Sequence, residues 1–320
     1  MTASTSSPRA RLGSSDLTVF PLALGGNVFG WTADEAQSFA VLDAFAAAGG
    51  DFVDTADAYS AWAPGNSGGE SETVVGRWLA ARGNRADVVL ATKIGSHPQF
   101  KGLKAANVAA AAEASLRRLG TDHIDLLYTH FDDESTPVEE IITALDALVR
   151  AGKVRQIAAS NISPARLAAS VEFSDREGLA RYVAVQPHYN LVSRNTYEGG
   201  LADVAARYGL SAVPYYGLAS GFLTGKYRIG GAAVDSVRAG GAARHLETPR
   251  GPKVLEALDT VAANHGAEPA TVALAWLLAQ PTVAAPIASA RTVEQLPALV
   301  AVAGLTLSEA ELTLLTEASA

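Results

Sequence analysis

Residues 88–130 read VVLATKIGSHPQFKGLKAANVAAAAEASLRRLGTDHIDLLYTH. Two short aliphatic runs, 88–93 and 124–129, flank a longer helical pattern over 105–119. A strand, a helix and a second strand in that order imply a parallel pair joined by a right-handed crossover. The same alternation extends both ways along the chain. Upstream, a strand is predicted at 20–24 and a helix at 33–48, opened by a Thr32/Glu35 capping-box pair and closed by Gly49-Gly50. Phe39, Leu42, Phe45 and Ala46 give that helix one apolar face. A strand at 52–54 and a helix at 71–82 follow. Downstream, Thr136, Pro137 and Glu139 supply an N-cap, a first helical residue and a capping acid for a helix running to Arg150. Then come a strand at 154–159, a helix opened by Ser163-Pro164, a strand at 182–185, a helix near 196–208 and a strand at 211–215. Helices at 252–263 and 269–278, a strand at 283–287 and a helix opened by Thr292 with Gln295 complete the chain. Eight such units favour closure into a single (β/α)8 TIM barrel over residues 1–320, with 1–10 as a loose N-terminal tail. The rival, a doubly wound open sheet, needs a glycine-rich first turn. Here Gly25-Gly26-Asn27-Val28-Phe29-Gly30 lacks the G-x-G-x-x-G spacing, and no helix starts directly on it. The glycine-rich stretch 219–250 is too long for an ordinary connection and reads as a functional lid.

Composition agrees with one large core: 320 residues, 48% hydrophobic and 18% charged. No apolar run approaches the ~18 residues of a membrane span. Residues 1–11 are Ser/Thr-rich without the apolar segment of a signal peptide. The absence of cysteine excludes disulfides, thiolate metal sites and a Cys nucleophile, and fits a cytoplasmic protein. A net charge of −8 argues against nucleic acid as a partner, while leaving room for a local basic pocket holding one phosphate.

Barrel active sites lie at the C-terminal ends of the strands. The predicted ends carry Asp54, with Tyr59 five residues on, then Lys93, His130, Ser160-Asn161 and Gln186. Free tyrosine and lysine titrate near ~10 and ~10.4, and a neighbouring ammonium favours tyrosinate, which makes the phenol a better proton donor. Asp54 is expected to hold Lys93, and His130 to bond the substrate oxygen or Tyr59. Such a group is a general acid aimed at an oxygen gaining negative charge. Having neither nucleophile nor metal, it requires a hydride-carrying cofactor. Taken singly, each residue has a plainer reading. Asp54–Lys93 could be a structural ion pair, His130 a core histidine, Ser160 and Asn161 helix caps, Tyr215 a packing aromatic and Arg291 a surface charge. Trp31 and Trp62, in loops rimming the mouth, read as a substrate wall that suits sugars as well as flat apolar carbonyls. Residues 61–69 read as a flap. His188 lies near the mouth, and the remaining histidines have no comparable partners.

At these positions the chain resembles the aldo-keto reductase superfamily. The matching segments are FVDTADAYS, GGESETVVGRWL, VVLATKIG, IDLLYTHFDD, IAASNIS, VQPHYNLV, GFLTGKY and SARTVEQL, in the family's order over nearly the whole chain. The resemblance implies reversible reduction of a small-molecule aldehyde or ketone with NADPH (NADP+) and no Rossmann domain, oligomeric state left open. It implies Tyr59 as acid, Lys93 and Asp54 tuning it, and His130 orienting substrate beside Trp31 and Trp62. For the cofactor it implies Gly26, Asn27 and Asp54, with Ser160, Asn161 and Gln186 at the nicotinamide carboxamide and Tyr215 stacked on the ring. Gly217, Leu218, Ala219, Gly221, Leu223, Gly225 and Lys226 would wrap the pyrophosphate, and Ser289, Arg291 and Gln295 the adenosine end. A guanidinium fork at Arg291, beside a helix start at Thr292, suits a 2′-phosphate and so favours NADPH over NADH. The chain departs from the family at Tyr216-Gly217, Ala288-Ser289 and Leu299, where Ser-Pro, Pro-Gly and Asn are commoner. Some relatives of this fold hold NADPH tightly as accessory subunits of membrane channels, a second reading of the same sequence. A metal-dependent hydrolase is set aside, because only one histidine sits at a strand end.

Overall fold

The computed structural model describes residues 8–234 and 236–320. The predicted loose tail falls partly outside the described residues. Its end, Ala10–Arg11 (β1), pairs antiparallel with Thr18–Val19 (β2). This hairpin closes the bottom of the molecule: Leu12, Leu17 and Val19 pack into the barrel interior, and the Gly13 amide donates to Ser211 Oγ at 2.8 Å. Gly13 sits at φ +52, and a Cβ there would stand 2.1 Å from the Val183 carbonyl oxygen, so the approach requires glycine.

Eight parallel strands form the barrel: β3 (Ala23–Gly25), β4 (Phe52–Asp54), β5 (Val89–Ile94), β6 (Ile124–Thr129), β7 (Val154–Ser160), β8 (Tyr182–Gln186), β9 (Ser211–Ala212) and β10 (Ile287–Ala288). Their hydrogen-bonded order is β10-β3-β4-β5-β6-β7-β8-β9. Closure comes from the segment entering β10. Ala212 bridges Val283, and the Ile287 amide donates to the Pro214 carbonyl at 2.8 Å. The surrounding helices are α1 (Glu35–Ala47), α2 (Glu70–Arg82), α3 (Ala105–Leu119), α4 (Val138–Arg150), α5 (Pro164–Glu177), α6 (Gly200–Tyr208), α7 (Ala239–Ala243), α8 (Arg250–His265), α9 (Pro269–Leu278), α10 (Leu296–Val300) and α11 (Glu309–Ala318).

Period-two alternation divides the core and creates the site. Outward-facing Val53, Leu90, Leu127, Ile157 and Val185 join the layer between sheet and helices. Inward-facing Phe52, Ala91, Leu126, Ala158 and Ala184 fill the barrel. Two residues further along those same inward rows stand Asp54, Lys93, Tyr128, Ser160 and Gln186, all buried. The polar floor of the mouth is thus the next layer of the apolar stack.

Several boundaries differ from the sequence reading. The runs at 20–24, 211–215 and 283–287 each contain a proline (Pro21, Pro214, Pro286), which cannot donate to a ladder. The observed strands shrink to Ala23–Gly25, Ser211–Ala212 and Ile287–Ala288. Helix α1 is capped by Asp34 with Gln37 rather than by Thr32 with Glu35. The Thr32 and Ala33 amides instead close a turn on the Val28 carbonyl at 3.0 Å. Thr136 does not cap α4. Its hydroxyl donates to Asp133 at 2.8 Å, and Pro137 occupies the cap position. At 292–295 Thr292 makes no side-chain cap, and Gln295 Oε1 accepts from the Arg291 amide at 2.9 Å.

Candidate active site

The mouth of the barrel opens into a cavity of about 1190 Å³. That exceeds the ~300–1,000 Å³ of typical small-ligand sites, enough for a cofactor and a substrate together. Lys93 Nζ is the hub of its floor. It donates to Asp54 Oδ2 at 2.6 Å, to the Thr55 carbonyl at 2.8 Å and to Tyr59 Oη at 2.9 Å. Asp54 and Lys93 are 0% and 1% exposed, so both lie behind the cavity wall. Tyr59 faces the cavity, as does His130, the two rings 5.9 Å apart at 76°. The chain holds these groups through backbone bonds at the strand ends. The Thr55 and Asp57 amides donate to the Ala91 and Lys93 carbonyls, and the His130 amide to the Ile94 carbonyl, each at 2.9 Å.

Electrostatics correct one expectation. Burial, followed by the adjacent Asp54 carboxylate, pushes the Tyr59 phenol well above the ordinary tyrosine range. The ammonium does not produce an acidified phenol in the resting site. Tyr59 is held as the neutral acid, with Lys93 in place to receive the charge that forms when its proton leaves. Burial pulls Lys93 down, opposed by the carboxylates of Asp54, Asp57 and Glu72. Burial and the Lys93 charge pull His130 down to about 3, leaving a neutral imidazole at physiological pH.

Next to this group, Gln186 Nε2 donates to Asp54 Oδ1 at 2.9 Å, and Ser160 Oγ donates to the Gln186 carbonyl at 2.9 Å. Asn161, at φ +48, donates to the His130 carbonyl at 2.8 Å and accepts from Tyr215 Oη at 2.8 Å. The Tyr215 ring faces the cavity with His188 stacked on it, 5.4 Å away at 22°. At the far end Ser289 Oγ donates to Asn27 Oδ1 at 2.7 Å. Lys226, Arg238 and Arg291 also line the cavity, and among the described residues none has a carboxylate at ion-pair distance. Lys226 is pulled down by burial and then by the charges of Arg291 and Arg238, a cluster that an anion would relieve.

Of the residues singled out from sequence, Asn27, Trp31, Tyr59, Trp62, His130, Ser160, Asn161, Gln186, Tyr215, Gly217, Leu218, Gly221, Lys226, Ser289, Arg291 and Gln295 line the cavity. Asp54 does not, being sealed behind Tyr59 and Lys93. Gly26 turns away, its amide bonded to the Asp54 carbonyl at 2.7 Å, and Gly25 takes the facing position. Ala219 and Leu223 point into the core, and Gly225 packs against Pro269. Trp31 and Trp62 meet edge to face at 5.5 Å, with the Arg238 guanidinium 5.7 Å from the Trp31 ring. The predicted lid contributes Ser236, Val237 and Arg238 to the cavity wall. The sequence reading missed Phe131, Tyr216 and Arg238. Phe131 carried a signal, since it directly follows His130 at a strand end. A lone arginine in a glycine-rich loop carried none.

The groove accepts a dinucleotide on chemical grounds. Glycine at 25 leaves space that a Cβ would fill, 2.7 Å from Ser289 Oγ. Lys226, Arg238 and Arg291 line the groove, as do the Tyr215 ring and the amide groups of Asn161 and Gln186. Comparisons with known proteins give the family. The Aldo/keto reductase family model matches residues 21–320. The uncharacterized oxidoreductase YrpG of Bacillus subtilis is 36% identical over 294 residues, covering 89% of this chain and 87% of that one. Norsolorinic acid reductase stcV of Emericella nidulans is 34% identical, covering 92% and 77%. A probable voltage-gated potassium channel subunit beta of Oryza sativa is 33% identical, covering 89% and 88%.

Proposed function

The chain belongs to the aldo/keto reductase family, and from that premise we propose that it reduces an aldehyde or ketone reversibly to the alcohol, with NADPH as cofactor and Tyr59 as proton donor. The observation that carries this reading is the placement of Lys93 Nζ, 2.6 Å from Asp54 Oδ2 and 2.9 Å from Tyr59 Oη, under a cavity that the phenol faces. Bound along the groove, NADPH supplies the hydride. Ser160, Asn161 and Gln186 are the groups to hold its carboxamide, Tyr215 its ring, Lys226 and Arg238 its pyrophosphate, and Arg291 its 2′-phosphate. Asn161 would exchange its bond to Tyr215 for one to the cofactor.

Neutral His130 and neutral Tyr59 both donate to the carbonyl oxygen, which orients the substrate and stabilises the charge that develops there. As that oxygen becomes alkoxide-like, Tyr59 gives up its proton. The phenolate that remains lies against an ammonium in a site largely shielded from water, where the pair is worth more than in solution. Asp54 keeps Lys93 in position throughout. The Trp31, Trp62 and Phe131 wall suits a sugar-like or a flat aromatic carbonyl compound. No helix among the described residues is long and apolar enough to cross a membrane.

The Oryza sativa relative, a probable voltage-gated potassium channel subunit beta, favours a second reading, tight NADPH binding with little turnover. The presence here of Asp54, Tyr59, Lys93 and His130 in one cluster supports turnover instead. Following NADPH consumption across a panel of aromatic and aliphatic aldehydes separates the two. Turnover above background with several aldehydes supports the reductase. Stoichiometric NADPH binding with no consumption refutes it in favour of the accessory role.

A further inference from the structure

Behind the Tyr59–Lys93 pair lies a second buried layer of charge. Asp57, two residues before Tyr59 on the same turn, is 0% exposed. Its amide donates to the Lys93 carbonyl at 2.9 Å, and its Oδ2 accepts from the Gly95 amide at 3.1 Å. Its Oδ1 is buried and makes no hydrogen bond of ordinary geometry, with the His97 backbone amide as a further, looser donor to the carboxylate. Such an atom on a fully buried carboxylate is costly, and packing alone would be served better by a neutral side chain. Four other groups face it from the elements packed around it. Glu72 comes from α2, Lys93 from β5 and Arg118 from α3, and the loop after β5 brings the His97 backbone amide. Glu72 is itself occupied, accepting from Thr92 Oγ1 and Arg118 Nε at 2.6 Å each. Arg118 is therefore committed to Glu72, and Asp57 has no cation of its own in direct contact.

We propose that Asp57 is a positioning residue for the reaction, a carboxylate fastened to the β5 end that sustains the Lys93 charge and keeps the Tyr59 turn registered on it. The inference rests on Tyr59 and Lys93 being the proton-donating pair. Its logic is electrostatic. Lys93 is fully buried, and burial works against its proton. Asp54 supplies the direct counter-charge, and Asp57 and Glu72 add theirs from behind. A lysine that lost its proton would leave the Tyr59 phenolate unsupported.

Geometry and titration agree on when this support operates. Burial, then Glu72, pushes Asp57 up to about 7. Below that pH Asp57 is neutral, and Lys93 needs no help to stay protonated. Above it Asp57 is charged, at the alkaline pH where Lys93 would otherwise lose its proton. The sign for stability is opposite. Asp57 ionises near ~3.9 when unfolded and about 7 when folded. Folding is therefore penalised by this group as pH rises from about 4 to about 7, and the full penalty persists above that window.

The test is Asp57→Asn, nearly isosteric and still able to accept from Gly95, measured beside Tyr59→Phe as the control on the parent reading. Near pH 6 the kcat of D57N should match the wild type within about twofold. At the higher pH where the wild-type alkaline limb falls it should be up to about tenfold lower, the limb having moved down by about one unit. KM for NADPH should change little, and thermal unfolding near pH 8.5 should occur at a higher temperature in D57N than in the wild type. Asp57→Ser, which also keeps an acceptor, should repeat the pattern if D57N fails to fold. A kcat ratio that is the same at both pH values, or a D57N melting temperature at or below the wild type near pH 8.5, overturns the inference while leaving the reductase intact. Full activity in Tyr59→Phe overturns both.

Discussion

Replacing Lys93 by methionine removes the ammonium and keeps most of the volume. The phenolate formed in the reaction would lose a charge 2.9 Å from Tyr59 Oη. At an effective dielectric of about 20, that attraction is roughly 332/(20 × 2.9), or about 6 kcal/mol for a full charge. With the proton about half transferred at the transition state, about 3 kcal/mol is lost, which is roughly a hundredfold in rate. The loss is deepened because Asp54 Oδ2, 3.4 Å from the same oxygen, is left to repel the phenolate alone. The ground state also suffers. Leaving a buried carboxylate without its cation costs about 3–5 kcal/mol of stability. The double variant Asp54→Asn/Lys93→Met relieves that cost and should recover most of the lost melting temperature without recovering rate. The assay is single-turnover oxidation of prebound NADPH with saturating aldehyde, with circular dichroism as the check on folding. A folded Lys93→Met enzyme within threefold of the wild-type rate would refute the reasoning, since phenolate stabilisation would then not depend on the ammonium.

Arg291→Ala should weaken NADPH binding by roughly ten- to a hundredfold, the worth of a charge-assisted contact, while NADH changes by less than threefold. Fluorescence titration with both cofactors reads this, and equal losses would place the 2′-phosphate elsewhere. His130→Gln should slow reduction roughly a hundredfold as a carbonyl donor is displaced. With His130 pulled down to about 3, kcat/KM in the wild type should show no imidazole limb between about pH 5 and 8. Its stability contribution should be fully present above about pH 6.5 and fade as pH falls toward 3, because the unfolded chain takes up that proton first. Chemical denaturation of wild type and His130→Gln at pH 7 and pH 4.5 checks the sign: the variant should lose less on acidification.

The sequence displayed its structure unevenly, for physical reasons. Strand Phe52–Asp54, helix Ala105–Leu119 and strand Ile124–Thr129 match their predicted bounds, because aliphatic runs and an Ala-rich helix leave little competition between local preferences. The strands read too long all contain a proline, which apolar character alone does not penalise. Helix starts shifted where a better acceptor or turn lay nearby: Asp133 captured the hydroxyl of Thr136, and Val28 captured the amide of Thr32. The candidate catalytic group was legible because the inward rows of β4 to β8 run out into polar residues. The phenol's electrostatics were not, because burial outweighs a favourable neighbour and burial depends on the whole barrel. The role of Asp57 was hidden for the same reason. Within DTAD it looks like any loop acid, and only the fold shows its carboxylate fully buried beside the Lys93 strand end.

The most direct measurement is hydride transfer in Tyr59→Phe with NADPH prebound, alongside the dissociation constant of NADPH. Loss of the hydroxyl removes one bond to Lys93 and the reacting proton but leaves the groove untouched. The expected result is a rate about a thousandfold below the wild type, within the ~10²–10⁴ range for a lost general acid, and cofactor affinity within threefold. A Tyr59→Phe enzyme that reduces aldehydes within tenfold of the wild type would contradict the assignment of the phenol as proton donor.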